Sequence, residues 1–79
     1  MVTRIQKVLK KMPQRDFDDV QRTIERILMW ELDGLDVKKL QGKGDEYRIR
    51  RGAYRIIFTR DVHGTVIILE VERRDENTY

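Results

Sequence analysis

The stretch KKLQGKGDEYRIRRGAYRIIFT, residues 38–59, decides the fold, because two runs of alternating residues meet across a turn only two residues long. Tyr47, Ile49 and Arg51 alternate with Arg48 and Arg50, and Tyr54, Ile56 and Phe58 alternate with Arg55, Ile57 and Thr59. A two-residue period marks half-buried strands. With Gly52-Ala53 as a type II′ turn, the register pairs Arg51 with Tyr54, Arg50 with Arg55, Ile49 with Ile56 and Tyr47 with Phe58. Tyr47, Ile49, Ile56 and Phe58 then share an inner face, and Arg48, Arg50 and Arg55 share the other. An arginine opposite an arginine costs about 0.2–1 kcal/mol. That cost is understandable where an anion binds, although basic side chains also line ordinary solvated strands.

Downstream, Asp61 to Gly64 reads as a second turn and Thr65 to about Glu72 as a third strand. A four-residue loop sets Phe58 opposite Ile67, Ile56 opposite Leu69, Tyr54 opposite Val71 and, on the outer face, Arg55 opposite Glu70. His63, at the tip of this turn, reads as solvated.

Upstream, Ile5, Val8, Leu9 and Met12 fall at helical spacing from about Thr3 to Lys11, and Pro13 stops the run. A second helix, Asp16 to about Leu32, repeats Phe17, Val20, Ile24, Ile27 and Leu28, with Gly34 as its stop. Asp16, Asp18 and Asp19 suit the positive end of that helix better than a metal. Trp30 reads as a packing residue. Asp33 to Asp45 is a polar connection loosened by Gly42 and Gly44. The fold class is α+β: two N-terminal helices packed on a three-stranded antiparallel sheet, in a single domain over residues 1–79.

The whole chain has seventeen Lys and Arg against fourteen Asp and Glu, a net charge of +3. Local patches therefore matter more than the total, and a basic strand face suits a polyanion such as RNA. With no cysteine and one histidine, neither a disulfide framework nor a Cys/His zinc site is available, and no cofactor is expected. No run approaches the ~20 apolar residues of a membrane span, and no signal-peptide pattern opens the chain, so the expected location is cytoplasmic.

These residues resemble the RelE/ParE superfamily of toxins. The central block is similar to its "K-L-x-G … Y-R-I-R-x-G-x-Y-R-I-I-Y" strand pair, ILEVERRDENTY (residues 68–79) to its "I-L-x-V-x-x-R … Y" ending, and KVLKKMP (residues 7–13) to its "K-x-L-x-K-L-P". Members usually open with a strand before the first helix; here only Met1, Val2 and Thr3 precede it, so that strand is expected to be short or missing. An open strand edge invites a strand from a partner or a second copy, and hence a homodimer.

The resemblance implies a toxin that enters the ribosomal A site and cuts mRNA, neutralised by a cognate antitoxin. Such cutting is attack of a ribose 2′-oxygen on the adjacent phosphate, which needs charge stabilisation and proton transfer but no metal. Carried over by position, Arg55 is the phosphate-stabilising arginine, Arg48 and Arg50 grip the message, Arg74 or its neighbour Arg73 is the arginine of the ending, and Tyr79 is the terminal tyrosine. Glu72 is an added candidate for acid-base work, with a strand-end ion pair as its alternative. Two other readings stay open: a ParE-like poison of DNA gyrase, acting by protein contact, and a non-catalytic RNA-binding remnant.

Overall fold

Residues 3–42 and 44–73 are described by a computed structural model. The first helix, α1 (Arg4–Lys11), begins at a reciprocal cap: Thr3 Oγ1 accepts from Gln6 N at 3.1 Å, and Thr3 N donates to Gln6 Oε1 at 3.0 Å. Lys10 and Lys11 sit at its negative C-terminal end. Pro13 forces the residue before it into extended backbone, so Met12 (ψ 151°) ends the helix and its side chain drops into the core.

Helix α2 runs Gln14–Leu28, starting and ending earlier than the apolar spacing suggests. Pro13, with φ −57°, already has the torsion a helix needs, so the turn forms directly behind it and Asp16 falls inside the first turn. At the other end Trp30 N donates to Ile27 O at 2.9 Å and Glu31 N to Arg26 O at 2.8 Å, the paired bonds of a Schellman cap. Trp30 therefore occupies the left-handed position, with φ 57°, that was expected of Gly34. Leu28 consequently points outward rather than into the core and is half exposed.

The sheet has four strands, not three: β1 (Asp36–Lys39), β2 (Glu46–Arg51), β3 (Tyr54–Arg60) and β4 (Val66–Arg73), antiparallel in sequence order. β1 lies in the stretch read as a connection. Four residues with a single inward apolar side chain, Val37, carry too little alternation to be recognised from sequence.

The β2–β3 register agrees with expectation at every pair, and Gly52 adopts the positive φ of 57° that a type II′ turn demands of its first central residue. The β3–β4 register does not. Arg60 pairs with Val66, so the loop holds five residues, tightened by Asp61 Oδ1 accepting from His63 N and Thr65 N, both at 2.9 Å. The pairing then slips: Phe58 faces Ile68 but Ile57 faces Glu70, leaving Leu69 as a bulge. Together these move Ile56 onto Val71, Tyr54 onto Arg73 and Arg55 onto Glu72 rather than Glu70.

The helices cover one sheet face. Met12, Val20, Ile27, Ile49, Tyr54, Ile56, Phe58 and Val71 are buried between the layers, with Trp30 edge-on to Tyr47 (5.6 Å) and Phe58 (5.9 Å). Burying aliphatic and aromatic side chains contributes about 1.5–3 kcal/mol each, the main force holding helices to sheet. No described helix is long and apolar enough to cross a membrane. Met1 and Val2, on which the expectation of a short or missing first strand rests, lie outside the described residues.

Candidate functional site

The sheet face turned away from the helices collects the cations. Alternation along β2 sends Arg48 and Arg50 outward, and alternation along β3 sends Arg55 the same way, since Ile49 and Ile56 between them point into the core. Arg50 and Arg55 are direct cross-strand partners. β1 adds a cation that sequence reading passed over: Lys38 stands opposite Arg48, and Asp36 opposite Arg50. Lys38 gave no signal of its own, because without a strand there was no face to assign it to.

Arg55 is anchored. Its Nη2 donates to Glu72 Oε2 at 2.5 Å, and both side chains are about one-third exposed (35% and 34%). The guanidinium holds the Glu72 carboxyl below the usual carboxylate range, with a hydrogen bond from Glu70 and the Arg4 charge pulling the same way against burial. Glu70 behaves oppositely: the hydrogen bond it shares with Glu72, burial and the Glu72 charge push it up, and Arg4 draws it part of the way back. Arg48 Nε is buried with no hydrogen-bond partner among the described residues.

The structure thus brings together Arg48, Arg50, Arg55 and Glu72. Arg73 is set apart, because its partner is Tyr54 and the register places it on the helix side of β4. Arg74 and Tyr79 lie outside the described residues. Among the described residues no group of three or more His, Asp or Glu could hold a metal ion; Asp18 accepts from Gln14 Nε2 at 2.9 Å and Asp19 from Arg51 Nη2 at 2.9 Å. The Arg51–Asp19 contact ties the hairpin to α2.

A helical pair over one face of an antiparallel sheet, with arginines on the open face, defines a small α+β domain. The family model for the ParE toxin of the type II toxin-antitoxin system, parDE, matches residues 3–78. The chain belongs to that toxin family. It is similar to a chain of the archaeal RelE-RelB complex from Pyrococcus horikoshii OT3, with 29% identity, 91% of this chain and 88% of that chain covered, and a TM-score of 0.73. It is also similar to a chain of the RelB-RelE antitoxin-toxin complex from Methanococcus jannaschii, with 28% identity, 89% and 84% covered, and a TM-score of 0.65. No curated protein matches it.

Proposed function

We propose that this toxin cuts mRNA on the ribosome, using the outer sheet face as its phosphate-binding surface. The observation that carries this reading is the Arg50–Arg55 pair with Lys38 opposite Arg48: four cations on three adjacent strands that outnumber the acidic side chains beside them, Asp36 and Glu72, and so favour an anion across the face. Arginine forks bind phosphate oxygens through two parallel hydrogen bonds, which suits them to the charge that builds up during transfer.

In the reaction the ribose 2′-hydroxyl loses its proton as its oxygen attacks the adjacent phosphorus, and the 5′-oxygen leaves and takes up a proton. Arg55 faces the phosphorane oxygens, held in orientation by Glu72, while Arg48 and Arg50 hold the flanking backbone. The Glu72 carboxylate lies next to Arg55 and stays ionised at neutral pH, which fits it for orienting the guanidinium. Arg74 and Tyr79, outside the described residues, stay in the proposed site by the resemblance alone, with Tyr79 stacking on a base or assisting proton transfer. A cognate antitoxin is the expected partner, as the RelE-RelB complexes suggest.

Primer extension on a defined message, free or on programmed ribosomes, tests this reading: ribosome-dependent cuts at the A-site codon support it, and intact message in all lanes sinks it. The family model that matches carries the ParE name, which favours gyrase as the second reading. Loss of gyrase supercoiling activity with intact message is the result that reading predicts.

A further inference from the structure

Four charged side chains from three elements form a continuous line at the β4 edge. Arg4 Nη1 on α1 donates to Glu70 Oε1 at 3.2 Å; Glu70 and Glu72, two residues apart on β4, turn to the same face opposite Ile57 and Arg55; and Glu72 holds Arg55 of β3. The bulge at Leu69 is what assembles them. If β4 continued in the register of Phe58 and Ile68, Glu70 would stand opposite Ile56 on the core side; the extra residue turns Glu70 and Glu72 outward together.

Resting on the RNA-cleaving reading above, we propose that Glu70 is the proton-carrying residue of the site, with Glu72 as the fixed anchor of Arg55. Protonating Glu72 would remove the counter-charge that orients Arg55 at the moment a phosphate arrives. Protonating Glu70 costs only one contact, to an arginine whose side chain is 81% exposed. The opposite shifts of the two carboxyls, Glu72 down and Glu70 up, agree with that division, which is how neighbouring carboxylates separate into acid-base and electrostatic roles. Among the described residues, the charged groups facing Glu70 are Arg4 from α1 and Glu72 from its own strand, with Arg55 behind Glu72; its cross-strand partner, Ile57, is neutral.

The step balances without an added reactant. The 2′-O–H bond breaks and its proton goes to the Glu70 carboxylate; the 2′-O–P bond forms as P–O5′ breaks; the 5′-oxygen, departing on the opposite side of the phosphorus, takes a proton from solvent, to which Glu70 then releases its own. The products are a 2′,3′-cyclic phosphate and a 5′-hydroxyl, and the carboxylate is regenerated.

Two readouts on the full chain decide the matter. In pH-rate profiles of cleavage on programmed ribosomes, Glu70→Gln is expected to lose about 100-fold in rate and the acidic limb with it. Arg4→Gln, which removes the group drawing Glu70 down, moves that limb to higher pH; Glu72→Gln, which removes the group pushing it up, moves it to lower pH. Carbon-13 NMR titration of the carboxyls should show Glu70 taking its proton before Glu72 as pH falls, with the same displacements in Arg4→Gln and Glu72→Gln. A Glu70→Gln variant with the wild-type rate and profile overturns the proposal, as does Glu72 protonating first. If the wild type cuts no message, the RNA-cleaving reading and the catalytic role of Glu70 fall together, while the titration still decides whether Glu70 is the proton-holding member of the pair.

Discussion

Arg50 on β2 and Arg55 on β3 stand directly opposite each other on the sheet face that the helices leave open. Like charges in that arrangement work against the fold, so binding and stability should respond to Arg50 in opposite directions. Arg50→Thr relieves the repulsion with a strand-favouring side chain, and the nearness of Asp36, opposite it on β1 and exposed, offsets little of that repulsion. A gain of about 0.2–1 kcal/mol is expected, a rise of a few degrees in melting temperature for a domain this small. RNA affinity should fall and its dependence on salt concentration should become shallower by about one released counterion. Calorimetry and a salt series of binding curves measure the two effects.

The Arg55–Glu72 pair makes stability depend on pH in a direction that follows from its sign. Glu72 binds its proton less readily folded than unfolded, so the pair's contribution is present above the unfolded carboxylate pKa and is lost as pH falls through the lower, folded one. Arg55→Gln removes the cause of the shift. The stability difference between wild type and this variant should be full at neutral pH and shrink as the solution is acidified through the carboxylate range. Both side chains are one-third exposed, so solvent screening keeps the difference small. Urea unfolding across a pH series reads it; a difference constant with pH contradicts the assignment.

Trp30 is a bulky residue in a left-handed conformation, which costs roughly 1–2 kcal/mol in backbone energy. Its ring recovers this by packing against Tyr47 and Phe58 and lying under the Arg60 guanidinium, 4.6 Å from the ring centroid. Trp30→Ala keeps the strain and loses the packing; Trp30→Gly loses the packing but relieves the strain. The glycine variant should therefore be more stable than the alanine variant by about 1 kcal/mol, a reversal of the usual helix ranking. Chemical denaturation of the two variants checks the order.

How far the sequence was readable depends on where local pattern alone sets the geometry. The β2–β3 hairpin was legible because Gly52-Ala53 and strict alternation leave one register, and with it came the shared face of Arg48, Arg50 and Arg55. The β3–β4 register was not, because a five-residue loop and a bulge each shift pairing by one, and Asp61 capping two backbone amides gives no signal in hydropathy. The correct partner of Arg55 was therefore out by two residues, although Glu70 does lie on its face. Strand β1 escaped notice because one inward valine among exposed neighbours is indistinguishable from a polar loop. The end of α2 was misplaced because a tryptophan, rather than a glycine, takes the left-handed cap.

The central claim, that the open sheet face performs phosphoryl transfer on messenger RNA, is tested most directly by mapping the ends of cut message on programmed ribosomes with the wild type and Arg55→Ala. Cuts bearing a 2′,3′-cyclic phosphate and a 5′-hydroxyl, reduced by about 100-fold or more in the variant, are the predicted result. Intact message, 3′-hydroxyl and 5′-phosphate ends, or undiminished cutting by Arg55→Ala would contradict it.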